Sequence, residues 1–146
     1  MLVPERPLWT CQACGRSFAN RNQPHACARH DLDSHFVGRD PEVLRIYGAF
    51  LAMLESFGPV IVLPEKTRIA FQVRMSFAQL TVRRRWITGH LVLDRPAENG
   101  PFARIDRLSA RNLVHHFRLD RAEEVERLGV FAARAYALGC QHHLRR

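Results

Sequence analysis

Apolar residues recur at helical spacing between positions 41 and 57, change to a two-residue period from 60 to 119, and return to helical spacing beyond 120. In the first stretch Val43, Leu44, Ile46, Tyr47, Phe50, Leu51, Met53, Leu54 and Phe57 predict a helix apolar over a wide arc, hence largely buried. Asp40 can cap it, Pro41 suits its first turn, and Gly58-Pro59 stop it. The period-two runs predict strands at 60–63, 67–75, 77–82, 85–93, 102–107 and 112–119. They are broken by Pro64-Glu65, Arg83-Arg84, the segment from Pro96 to Pro101, and Ser109-Ala-Arg111. Strands this close, with no helix between them, imply an antiparallel meander. Asp120-Arg-Ala-Glu123 then reads as a capping box, and Val125, Leu128, Ala132, Ala135 and Leu138 form an apolar stripe that stops at Gly139. The expected fold class is α+β, with helices packed on one face of an antiparallel meander sheet.

Residues 1–35 have little periodicity of either kind and read as a separate zinc-knuckle module, leaving 36–146 as the α+β domain. Cys11-Gln-Ala-Cys14 has the spacing that brings two thiolates to one tetrahedral ion, and Gly15 suits the tight turn that follows. Trp9 and Phe18 flank the knuckle as a miniature core, because so short a segment buries too little without a metal. His25, Cys27, His30 and His35 are the remaining candidate ligands. The preferred set is Cys11, Cys14, His25 and Cys27; a second set replaces His25 with His30. Four protein ligands close the coordination shell, so the expected cofactor is structural zinc. A disulfide does not suit an intracellular chain, and a redox Cys-x-x-Cys would open a helix after a strand, which is not the pattern here. Cys140, near His142 and His143, reads as a surface thiol.

A length of 146 residues accommodates about one domain. No apolar run reaches the ~18–20 residues of a bilayer span, and the first residues lack the pattern of a signal peptide, so the expected location is cytoplasmic with no membrane partner. Charge changes the picture more. Twenty-two basic residues face 14 acidic ones, and the whole net charge of +8 lies in 66–118, which holds 11 basic and 3 acidic residues. Apart from Lys66 the basic residues are arginines, whose planar forks suit phosphate.

Alternation along 67–75 sends Ile69, Phe71, Val73 and Met75 to one face and Arg68, Gln72 and Arg74 to the other. Trp86, Thr88 and His90 share a face in the fourth strand, as do Arg104 and Asp106 in the fifth, and His116 and Arg118 in the sixth. His115 then points to the core. If registers agree, Arg68, Gln72, Arg74, Trp86, His90, Arg104 and His116 form one basic, partly aromatic surface, suited to a phosphate backbone with bases stacking on Trp86. Equally, an antiparallel sheet commonly solvates one face, and alternation alone yields such a list. Asp94, Glu98 and Asp106 are few carboxylates for an Mg²⁺-dependent nuclease, and dinucleotide, Walker, nucleophile-elbow and His-Glu-x-x-His motifs are absent. The readings are therefore, in order, binding of nucleic acid or another phosphate-bearing polyanion; a small anionic-ligand pocket or metal-independent enzyme using Arg68, Arg74 and His90; and a protein-interaction module using the apolar helix.

Trp9-Thr-Cys-Gln-Ala-Cys-Gly-Arg-Ser-Phe18, Asn22-Gln-Pro-His-Ala-Cys27, 67–78 and His115-His-Phe-Arg-Leu119 together resemble the bacterial family catalogued as domain of unknown function 5655. The likeness runs from Trp9 to the last helix. It implies the same architecture and a zinc-bearing N-terminal part. Its relatives look as though they accompany DNA-restriction and defence components, which implies a nucleic-acid setting.

Overall fold

The computed structural model describes residues 6–25, 27 and 30–141. Asp40 is extended, and its carboxylate accepts the Glu42 N–H at 2.9 Å, so helix α1 starts at Pro41 and runs to Glu55. Val43, Ile46, Tyr47, Phe50 and Leu54 are buried on one side of it, whereas Leu44 of the same apolar arc is exposed. A short hairpin precedes α1, made of β1 (Trp9–Thr10) and β2 (Ser17–Phe18), followed by one 3-10 turn at Leu32–His35.

Six strands follow: β3 (Ile61–Pro64), β4 (Ile69–Gln72), β5 (Ser76–Val82), β6 (Ile87–Leu93), β7 (Arg104–Ser109) and β8 (Asn112–Leu119). All pairs are antiparallel, in the order β3-β4-β5-β6-β8-β7. The first four form the expected meander; the last two exchange places. Burial explains the exchange. In β8, Leu113, His115, Phe117 and Leu119 are all buried on one face, whereas β7 is mostly exposed and polar, which suits an edge. His115 fixes the preceding crossover: its Nδ1–H donates to Leu113 O at 2.9 Å, and its Nε2 accepts from Ala97 N–H at 2.9 Å.

The chain closes with a 3-10 helix, Ala122–Leu128, and helix α2, Gly129–Gly139. The capping residue is Glu124 rather than Glu123: its Oε1 accepts from the N–H groups of Asp120 (2.6 Å) and Arg121 (3.0 Å). Asp120 itself is occupied by Arg118. Both helices cover one face of the sheet, as the α+β reading requires, and Val125, Leu128, Ala132, Ala135 and Leu138 are all buried. Phe50 lies at the centre, with ring centroids 5.3 Å from Phe71 and 5.9 Å from Phe117. Cys140 is also buried in this core, so it is not the surface thiol expected; His142 and His143 lie outside the described residues.

The main local departure is in β4, expected over 67–75 but ending at Gln72. The N–H groups of Arg74 and Met75 both reach Gly139 O, each at 3.0 Å, so the end of α2 pulls this segment out of the ladder. A bulge in the β4–β5 pairing follows from it.

Candidate metal centre and basic sheet face

Local backbone builds the knuckle. Gly15 N–H bonds Cys11 O and Cys11 N–H bonds Arg16 O, both at 2.8 Å, and Gly15 has φ +78°, where a side chain is disfavoured. The reversal points both cysteine sulfurs inward. His25 and Cys27 close the group, and the ligand atoms of Cys11, Cys14, His25 and Cys27 all lie within 4.8 Å of one another. Three of the six separations come close to those of a coordination tetrahedron. With legs of about 2.3 Å to sulfur and 2.0 Å to nitrogen, its edges are about 3.8 Å for S–S and 3.5 Å for S–N. Observed are 3.8 Å for Cys11–Cys27, 3.3 Å for Cys14–His25 Nε2 and 3.5 Å for Cys27–His25 Nε2. His25 Nδ1 lies 2.6 Å from Gln23 O, so the proton sits on Nδ1 and the Nε2 lone pair faces the sulfurs. These four residues can hold a metal ion; His30 and His35 stand apart from them.

The same hydrogen-bond scaffold favours thiolate. The backbone N–H of Arg16 is the main influence bringing the Cys14 thiol down to about 6, and the backbone N–H of Cys14 lowers Cys11. Cys27, hydrogen-bonded to Cys11, is raised. Trp9 packs 6.1 Å from Phe18, and Phe18 4.4 Å from the His25 ring, so the two flanking aromatics do form the small core behind the ligands.

The knuckle rests on the outer face of the large sheet. Gln72, only 2% exposed, donates from Nε2 to Ser17 O at 2.6 Å. Arg74 is buried as well: it donates from Nε to Gln141 Oε1 at 3.0 Å and from a terminal nitrogen to Arg6 O. These two residues, expected on a ligand-binding surface, instead join the N-terminal segment and the chain end to the sheet. The bulge and the early end of β4 are the reason.

The remainder of the outer face carries a continuous row. Gln79 pairs with His90, His90 with His116, and His116 with Arg104, across β5, β6, β8 and β7. The His90 and His116 rings meet edge to face with centroids 5.8 Å apart. His116 Nε2 lies 2.9 Å from Asp106 Oδ2, and Arg104 Nε donates to the same oxygen at 2.9 Å. Burial acts against the Asp106 carboxylate, but the hydrogen bond from His116 and the charge of Arg104 outweigh it and hold the group below its ordinary range. Desolvation, reinforced by His116 and Arg68, brings His90 down to about 4, so it is neutral near pH 7. Gln79 Oε1 is buried with no hydrogen-bond partner among the described residues.

Around this row lies an open depression of about 850 Å³ to which Arg68, Arg83, Arg104 and Arg118 contribute cations and Asp106 the single carboxylate. Arg118 and Asp106 escaped the sequence list of site residues, although the same alternation that selected His116 and Arg104 places them beside it. Trp86 is not a bare stacking platform, since the Arg118 guanidinium lies 4.3 Å over its ring. A smaller hollow of about 350 Å³ separates knuckle from sheet, and Arg68 and Gln79 line both. Arg74 belongs to the smaller and His90 to the larger, so Arg68, Arg74 and His90 do not share one pocket.

The neutral state of partly buried His90 has a thermodynamic consequence. Unfolded histidine takes up a proton near 6.5 while His90 in the fold resists until about 4, so stability falls as pH drops through that window. His115, lowered first by its own burial, acts in the same direction. Between pH 7.5 and 4.5 wild type should lose on the order of 2 kcal/mol more than His90→Gln, read as the difference in urea unfolding free energies. Equal losses in both proteins would contradict the neutral state of His90.

Residues 32–139 match the family described as domain of unknown function 5655 (DUF5655), and the chain belongs to that family. The match begins beyond Cys27, so the metal-ligand cluster precedes the matched region. Neither a curated protein nor a solved structure matches the chain. Among the described residues no helix is long and apolar enough to cross a membrane.

Proposed function

We propose that the protein binds nucleic acid along the outer face of its sheet, with a zinc ion in the Cys11–Cys14–His25–Cys27 cluster holding the knuckle against that face. The observation that carries the reading is the charge balance of the open depression: four arginines around two histidines, against one carboxylate. Asp106 already serves Arg104, and Asp120 serves Arg118, while Arg68 and Arg83 have no ion pair among the described residues. Unpaired guanidiniums on an exposed concave surface attract phosphate strongly. The surface spans four strands and is unroofed, which suits a polymer backbone better than an enclosed small molecule. Arg68 lies where the two hollows meet, so the basic track continues from the sheet toward the knuckle. Three thiolates and one imidazole are a donor set that suits zinc, and a closed shell of four makes its role structural.

Fluorescence anisotropy with short single-stranded RNA and DNA of several sequences, over a series of salt concentrations, tests the binding. Wild type should bind all of them, with affinity falling steeply as salt rises. Arg68→Ala and Arg83→Ala should each weaken binding almost uniformly across sequences and reduce the salt slope by about one. Absence of binding at low salt, or unchanged salt slopes in both variants, would overturn it.

A further inference from the structure

The row at the floor of the depression contains more than a cation surface needs. Phosphate binding is served by arginines; it does not call for two imidazoles side by side, one oriented by a carboxylate. His90 and His116 are cross-strand partners whose rings stand 5.8 Å apart, so each can come within the roughly 2.6–3.2 Å reach of proton transfer to one of two oxygens on a single phosphorus. Their surroundings differ. Arg68, His116 and the Gln79 amide face His90, whereas Asp106 and Arg104 face His116. Gln79, the cross-strand partner of His90, also lines the depression.

We propose that this row cleaves single-stranded RNA by transfer of the phosphodiester to its own 2′-hydroxyl, with His90 as general base and His116 as general acid. The inference rests on the nucleic-acid reading above. A ring nitrogen of neutral His90 takes the proton of the 2′-hydroxyl while O2′ forms a bond to phosphorus. The bond from phosphorus to O5′ breaks in line, and the departing oxygen takes a ring proton from His116, whose Nε2 lies 2.9 Å from Asp106 Oδ2 and 3.2 Å from an Arg104 terminal nitrogen. The products are a 2′,3′-cyclic phosphate and a 5′-hydroxyl end; each bond formed is matched by one broken, and no further reactant enters. Arg104 and Arg68 are placed to neutralise charge that builds on the non-bridging oxygens. Burial and cationic neighbours keep the His90 ring neutral near pH 7, so its lone pair is free to face the 2′-hydroxyl. DNA, which lacks the 2′-hydroxyl, is bound and left intact.

The test incubates metal-replete protein with a 5′-labelled oligoribonucleotide, the same strand carrying a single 2′-deoxy residue at the main cleavage position, and the DNA counterpart. Products are identified by mass spectrometry, and binding is followed in parallel by anisotropy. Wild type should yield cyclic-phosphate ends, the single deoxy residue should abolish cleavage at its own position, and the rate should follow a bell in pH. His90→Gln and His116→Asn should each slow cleavage on the order of 10²- to 10⁴-fold while binding persists. Asp106→Asn, which misorients His116, should slow cleavage and shift the bell. Wild type that binds RNA without cleaving it would overturn the ribonuclease inference and leave the binding reading standing. Cleavage that survives both histidine variants, both folded by circular dichroism, would overturn it too. Failure of wild type to bind any strand would overturn both.

Discussion

Cys14→Ser protein should retain the two helices and the six-stranded sheet, lose its metal, and lose the ordered knuckle. The hairpin of β1 and β2 has two residues per strand, and Trp9, Phe18 and His25 are the aromatics behind it. Its small aromatic core is too little to hold it folded, so a structural zinc bound there would supply the folding free energy, on the order of 10 kcal/mol. The large sheet depends on it little, because its core is formed by α1, α2 and the inner strand faces. Wild type should carry about one zinc per chain by elemental analysis, and the variant none. Amide exchange should rise sharply over the knuckle and modestly at Gln72, whose side chain loses Ser17 O. Wild type without stoichiometric metal, or a variant with unchanged protection over the knuckle, would contradict the metal reading.

Phe50→Ala should be the most damaging single truncation on α1. Phe50 is fully buried between Phe71 and Phe117, so the change removes ring contacts to two strands and leaves a cavity that neither neighbour can fill. A loss of about 3–5 kcal/mol is expected. Leu51, next in sequence, is only partly buried and should cost about half as much or less when truncated. Urea unfolding of both variants makes the comparison. Similar losses would mean that the two faces of α1 are packed alike, contrary to the burial pattern.

Sequence period carried most of this architecture. Helix α1, the six strands and the buried stripe of the last segment stand close to where alternation and helical spacing put them; in α1, β5, β6, β8 and the last segment a mainly buried face fixes the phase. The Cys/His cluster was legible for a different reason: its members lie close in sequence, and ligand chemistry restricts their spacing. His90, His116 and Arg104 were also read onto one face correctly, since regular strands preserve phase across a register. Phase failed where a tertiary contact intervened. Gly139 O draws the Arg74 and Met75 amides out of β4, and nothing in the local pattern around residue 74 reports a carbonyl from the far end of the chain. Strand order escaped for a similar reason. The polar character of β7 hints at an edge, but the exchange with β8 is fixed by the buried His115 and its bond from Ala97 N–H, a long-range arrangement. Gln79 was overlooked because a glutamine carries little signal alone; its meaning comes from facing His90.

The most direct measurement of the central claim, nucleic-acid binding on the outer sheet face, is a two-dimensional ¹H–¹⁵N spectrum recorded during titration with a short single-stranded RNA at low salt. Backbone signals of Thr81, Thr88, His90, His116 and Arg118, together with the Arg68 side chain, should shift progressively, and those of α1 should stay in place. No shifts, or shifts confined to the helical side of the sheet, would contradict it.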